Sequence, residues 1–166
     1  MKTLKFSNGD QMPIVGLGTW KSQPGEVYTA VREAIRVGYR HIDCALRYGN
    51  EAEIGAALRD AIEEGQVTRQ DLWITSKLWN NSHGRENVEK GLKKSLEDLG
   101  LDYLDLYLVH WPIPLPSSVV FPSSGAEFLQ PEEAPISETW EGMEAALSAG
   151  LTRHIGVSNF SIKKLG

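Results

Sequence analysis

At 166 residues the chain has the length of one domain with a sizeable buried core, and its 41% apolar and 23% charged content is that of an ordinary globular protein. A net charge of −5 with no basic run argues against a nucleic-acid-binding surface, and no apolar run approaches the roughly 18 residues that span a bilayer. The first twenty residues lack a secretory signal pattern and Cys44 is the only cysteine, so no internal disulfide forms and a cytoplasmic location is expected.

Leu4-Lys5-Phe6 and Met12-Pro13-Ile14 flank Asn8-Gly9, a strong hairpin signal. A first strand is predicted over Val15–Trp20. Its glycines, Gly16 and Gly18, lack the third glycine of a dinucleotide fingerprint and point instead to close backbone packing. Val27, Val31, Ala34 and Ile35 share one helical face, with Gly38 as the stop. A second strand follows over Tyr39–Asp43. The second helix buries Ile54, Leu58, Ala61 and Ile62 and stops near Gly65. Leu72–Lys77 reads as the third strand, and Val88, Leu92, Ser95, Leu96 and Leu99 as the stripe of a third helix ending at Gly100.

Leu104–Val109, apolar apart from Asp105, is predicted as a strand covered on both faces. Six prolines in residues 111–136 exclude regular structure there, and a long loop leaving a strand's carboxyl end reads as a substrate cover. Ser137 is the expected N-cap of a fourth helix whose apolar stripe is Trp140, Met143 and Leu147. A fifth strand spans about Thr152–Val157, and residues 161–166 open a fifth helix.

Four of the strands end in, or just before, residues suited to chemistry: Asp43, Lys77, His110 and Ser158. The first three are separated by 34 (43 to 77) and 33 (77 to 110) positions, the spacing of a repeated strand–helix unit. Such repeats deliver their terminal side chains to the carboxyl end of a parallel sheet, where α/β folds carry their sites. Tyr48 lies between the first two. A tyrosine, with a reference pKa near 10, is a poor acid at neutral pH, but a neighbouring ammonium favours its ionised form. Lys77 can supply that charge, Asp43 can hold Lys77, and His110 can position a carbonyl oxygen. Such a site gives a proton to oxygen and needs a hydride or a nucleophile from elsewhere; with no nucleophilic Ser or Cys motif visible, a bound cofactor is the expected source of a hydride. A metal site on His41 and Asp43 lacks further converging ligands, and Lys77 would repel the ion, so no metal is expected.

The chain resembles the aldo-keto reductases. The resemblance rests on Gly16-Leu17-Gly18-Thr19-Trp20, on Tyr39-Arg40-His41-Ile42-Asp43 through Tyr48-Gly49-Asn50-Glu51, and on Thr75-Ser76-Lys77-Leu78-Trp79. The run from Leu101 to Pro112 and Ile155-Gly156-Val157-Ser158-Asn159-Phe160 complete it. It implies a (β/α)8 TIM barrel with an N-terminal hairpin and NADPH-dependent reduction of aldehydes or ketones, aldose sugars included, with NAD as the other nicotinamide candidate. It assigns Tyr48 as proton donor, Lys77 and Asp43 as its tuning pair, and His110 as the carbonyl-orienting residue. Thr19, Trp20, Asp43, Ser158 and Asn159 match positions that bind the nicotinamide. Trp20, Tyr48, Trp79, His110 and Trp111 match the substrate pocket.

A barrel of this type takes about 250 residues, so residues 1–166 are read as a single barrel domain truncated after its fifth strand. The family's nicotinamide-stacking ring and phosphate-reading basic residues belong to the remaining part. The complete form is expected to be a monomer acting on a small carbonyl compound. The alternative for the chain alone is an inactive half-barrel serving as a binding or regulatory protein.

Overall fold

The computed structural model describes residues 2–165. Strands β1 (Thr3–Lys5) and β2 (Gln11–Pro13) form the expected antiparallel hairpin, closed by Phe6, Gly9 and Asp10. A five-stranded parallel sheet follows in sequential order: β3 (Leu17–Gly18), β4 (His41–Asp43), β5 (Trp73–Leu78), β6 (Leu106–Val109) and β7 (Ile155–Val157). Helices α1 (Glu26–Arg36), α2 (Glu51–Glu63), α3 (Arg85–Leu99) and α4 (Ile136–Ser148) connect successive strands, and α5 (Ile162–Leu165) follows β7. Gly166, with which the expected fifth helix was to end, lies outside the described residues.

Alternation along the strands divides the sheet into two faces. Ile42, Ile74, Leu78, Tyr107 and Val109 are buried under the helices, where they meet the apolar stripes of α1, α2 and α3. His41, Asp43, Thr75, Lys77, Leu106 and Leu108 line a trough on the other face. The expectation that β6 is covered on both faces is therefore corrected, because Leu106 and Leu108 look into this trough and are only half-buried.

β3 is shorter than its sequence suggests. Only Leu17 and Gly18 pair with β4, while Val15 and Trp20 are exposed. Close packing does explain Gly16, where a Cβ would stand 2.9 Å from the His41 ring; it does not explain Gly18, where a Cβ meets nothing within 4 Å. β4, β6 and β7 also begin later than expected. Leu104 and Thr152, ahead of β6 and β7, are joined by a single bridge.

The fourth helix departs in two ways. Its N-cap is Pro135 rather than Ser137, and no side chain caps it, since Pro135 already supplies an extended φ and the carbonyl that starts the helix. Of the expected stripe, Met143 is buried and Trp140 packs partly buried against the core, but Leu147 is exposed; the rest of the buried face is Thr139, Gly142 and Ala146. The rotation follows from Gly142, where a Cβ would lie 2.7 Å from Val88 and 2.8 Å from the Arg85 carbonyl, so α4 meets α3 at its smallest residue.

Gly55 does the same for α2, where a Cβ would stand 2.6 Å from the carbonyl oxygens of both Asp98 and Leu99. Backbone cannot yield as a side chain can. Gly55→Ala is expected to destabilise the fold by about 1–3 kcal/mol, although alanine is the better helix former by about 1 kcal/mol. A urea midpoint equal to or above the parent's would show that the two helices can separate freely.

The hairpin covers the amino-terminal end of the sheet. His41 Nδ1 meets the Pro13 carbonyl at 2.9 Å, and Phe6 stacks over Trp73 and His154. Asp10 pairs with Arg153 at 2.7 Å and His154 at 2.8 Å. The opposite, carboxyl end is left open.

Candidate functional site

The main-chain ladder continues past the ends of the strands and fixes the residues there. Thr19 N–H donates to the Asp43 carbonyl, Cys44 N–H to Thr75, His110 N–H to Leu78 and Ser158 N–H to Val109. Asp43 is registered against Thr75 and Lys77 against Leu108, so the polar ends step upward along the sheet. The stagger places Lys77 where its side chain reaches back to Asp43.

The ammonium of Lys77 is buried and donates to Asp43 Oδ1 at 2.6 Å, to the Cys44 carbonyl at 2.8 Å and to the Tyr48 hydroxyl at 3.4 Å. Tyr48 is delivered by a single 3-10 turn, Leu46–Tyr48, closed by Gly49 in the left-handed conformation (φ 69°). The His110 ring lies edge-on to Tyr48, with centroids 5.7 Å apart, and edge-on to Trp79 at 5.4 Å. The four residues expected to act together thus meet in three dimensions.

A cavity of about 320 Å³ opens beside them, lined by Trp20, Arg47, Tyr48, Trp79, His110, Trp111 and Asn159. All three tryptophans named for the pocket wall are on it. Trp20 and Trp111 are exposed, and the Trp79 indole donates to the Val120 carbonyl at 3.0 Å. The proline-rich segment therefore does run alongside the cavity.

Thr19 is buried and its hydroxyl donates to the Asp43 carbonyl at 3.0 Å, which makes it a strut for the strand end. Ser158 and Asn159 adjoin: the Asn159 amide donates to the His110 carbonyl and to Ser158 Oγ, both at 2.9 Å. Asn159 adopts a positive φ of 63°, uncommon for a residue other than glycine and best tolerated by asparagine. His41 has both ring nitrogens engaged, one on Pro13 and the other on Thr75 Oγ1 at 3.0 Å, and so serves the fold.

Burial lowers the His110 pKa to about 4, with Lys77 and then Arg47 acting in the same direction and Asp43 against them. Burial also lowers His83 to about 4. Both imidazoles are neutral at pH 7 in the fold, whereas an unfolded histidine titrates near 6.5. The stabilisation is complete above about pH 6.5 and is lost as pH falls from there towards 4, because the unfolded chain binds more protons throughout that window. Urea midpoints are expected to fall between pH 6.5 and 5. A His83→Phe variant should show a shallower fall, and an equal slope in both proteins would count against a buried neutral His83.

Sequence reasoning missed two contributors. The Cys44 carbonyl fixes the Lys77 ammonium, a role that side-chain chemistry cannot reveal. Arg47 enters the cavity wall because the short turn carries it beside Tyr48, and its position next to the tyrosine in sequence was the available signal.

Residues 14–166 match the model of the aldo/keto reductase family. An aldo/keto reductase of Synechocystis sp. is 56% identical over 165 residues, covering 99% of this chain and 50% of the relative. Aldo-keto reductase family 1 member A1 of Sus scrofa is 48% identical over 159 residues, covering 95% and 49%. The solved aldose reductase of Schistosoma japonicum superposes with a TM-score of 0.92 at 45% identity, covering 99% of this chain and 55% of that one. The chain spans about half the length of these relatives, and among its described residues no helix is long and apolar enough to cross a membrane. With a matched family model over nearly its whole length and the Asp43–Tyr48–Lys77–His110 cluster at the strand ends, the chain belongs to the aldo/keto reductase family.

Proposed function

We propose that residues 1–166 make up the first five strand–helix units of a single (β/α)8 barrel domain that reduces small aldehydes or ketones to alcohols with NADPH. The observation that carries this reading is the Lys77 ammonium held between Asp43 and the Tyr48 hydroxyl, with a neutral His110 across the cavity. A substrate carbonyl in that cavity receives a hydrogen bond from the His110 N–H, which fixes its oxygen beside Tyr48. As the oxygen gains electron density, Tyr48 releases its proton to it, and the resulting phenolate is stabilised by the Lys77 ammonium. Asp43 and the Cys44 carbonyl keep that ammonium from swinging away.

The residues present fit a nicotinamide. Its carboxamide needs one acceptor and one donor. Asn159 Oδ1 is available to accept, and the Ser158 hydroxyl, whose oxygen already accepts from Asn159, is available to donate. The open space over Gly18 and the trough beside Asp43 and Ser158 leave room for the ring. When bound, the nicotinamide supplies the hydride to the carbonyl carbon.

The test joins residues 1–166 to the second half of the Synechocystis relative and follows NADPH oxidation with a panel of aldehydes. Turnover dependent on both NADPH and aldehyde is expected. A folded, soluble barrel that binds NADPH and reduces no aldehyde or ketone would sink the proposal.

A further inference from the structure

Arg47 is unlike the rest of the cavity wall. Its other lining residues are aromatic or neutral polar at pH 7, and Arg47 brings a fixed positive charge. Its guanidinium carbon lies 3.5 Å from the centroid of Phe121 and 5.1 Å from that of Trp79. Stacking of this kind covers the faces of the guanidinium and leaves its N–H groups pointing out in the plane. Among the described residues no carboxylate forms an ion pair with it, whereas six of the other seven arginines, all but Arg40, pair with a glutamate or aspartate. Its Nε is buried without a hydrogen-bond partner. Burial alone lowers its pKa, with no nearby acid acting in the opposite direction.

A half-buried guanidinium with no acidic partner and an unpartnered buried Nε is partly stripped of water, and its outward N–H groups are free for a ligand. We infer that Arg47 is the specificity-determining residue of this cavity and selects carbonyl substrates carrying an anionic group, a carboxylate or a phosphate, on the end remote from the carbonyl. The geometry sets the separation: Arg47 stacks near Trp79, and Trp79 lies edge-on to His110, so the anion and the reacting oxygen stand about one aromatic ring apart. A para-substituted benzaldehyde has that span. The guanidinium fork matches the paired oxygens of carboxylate and phosphate alike. The inference rests on the reductase reading for which end of the ligand reacts, but not for the binding of the anion.

The alternative use of Arg47 is mechanical, as a cation–π peg that holds Phe121 and the loop around it. That role would affect neutral and anionic ligands equally, so charge discrimination separates the two. Binding to the full chain is read from the fluorescence of the cavity tryptophans, using benzyl alcohol, 4-(hydroxymethyl)benzoate and 4-(hydroxymethyl)phenyl phosphate as product-like probes. One or both anionic probes are expected to bind about 10- to 100-fold more tightly than benzyl alcohol, the range of a charge-assisted hydrogen bond. The tighter of the two identifies the class of anion. In Arg47→Met the ratio of anionic to neutral affinity should fall to about one whatever happens to benzyl alcohol itself, and in Arg47→Glu it should reverse. Benzyl alcohol binding is the control for folding of each variant. An anionic preference that survives in Arg47→Met, or its absence from the parent, overturns the assignment. Discrimination at Arg47 together with a joined barrel, built as above and binding NADPH, that never reduces 4-carboxybenzaldehyde or benzaldehyde would refute the reductase reading alone. Reduction of both aldehydes at equal kcat/KM would refute the Arg47 assignment alone.

Discussion

In the joined barrel of the proposed reductase, Tyr48→Phe is expected to lower kcat for aldehyde reduction by about 100- to 10,000-fold, the contribution of a positioned general acid, while the Kd for NADPH stays within about twofold. The hydroxyl's proton is needed only as the carbonyl oxygen becomes an alkoxide, so its removal appears in the chemical step. His110 is a poor replacement. With a pKa near 4 it carries no imidazolium proton at neutral pH and offers only a neutral N–H. Lys77→Met should also depress kcat, because its ammonium stabilises the phenolate that Tyr48 leaves behind. Single-turnover measurements at saturating NADPH separate chemistry from release. If Tyr48→Phe kept most of its single-turnover rate, the proton would have to come from another group or from water.

The second large effect concerns stability. Asp105 is buried, accepts the Ile74 N–H at 2.9 Å and pairs with Arg69 at 2.9 Å, which is itself largely covered. Removing one partner of a buried pair leaves the other charge uncompensated, so Asp105→Leu is expected to destabilise by about 3–5 kcal/mol. Adding Arg69→Met should recover part of that loss, since the orphaned cation goes too. Recovery should be incomplete, because the Ile74 N–H still lacks its acceptor. Urea denaturation of the two single variants and the double variant gives the coupling. Additive losses would mean that Arg69 reaches solvent once Asp105 is gone.

What the sequence made legible, and what it hid, divides along physical lines. Asp43, Lys77 and His110 could be read as a set because the strand–helix repeat fixes their spacing, and the parallel sheet turns spacing into proximity. Helix stripes on α1 and α3 were readable for a similar reason, since burial of Val27, Val31, Val88 and Leu92 follows the 3.6-residue period. The α4 stripe held at Met143 and Trp140 and misled at Leu147, because periodicity weighs large apolar side chains, whereas helix contact at Gly142 is set by what a side chain would obstruct. Asp105 read as a lone polar residue in an apolar run. Its partner Arg69 lies 36 positions earlier in sequence (69 to 105), beyond any local pattern. Ser137 had the chemistry of a cap, yet Pro135 two residues earlier already had the required geometry.

The hairpin over the amino-terminal end also bears on the order in which the molecule assembles. Asp10 finds Arg153 and His154 at sequence separations of 143 and 144, so only after nearly the whole described chain has been laid down. During synthesis the hairpin can meet His41 and Trp73 once β4 and β5 have emerged, but Asp10 has no ion-pair partner until the chain reaches β7. Contacts of such sequence separation carry a large loop-closure cost and are expected to form on the native side of the folding barrier. Asp10→Ala should therefore hasten unfolding and leave the refolding rate nearly unchanged, a split that stopped-flow kinetics would resolve. The first-made element thus holds its last-made contacts at Asp10, which gives that corner of the amino terminus the character of a clasp.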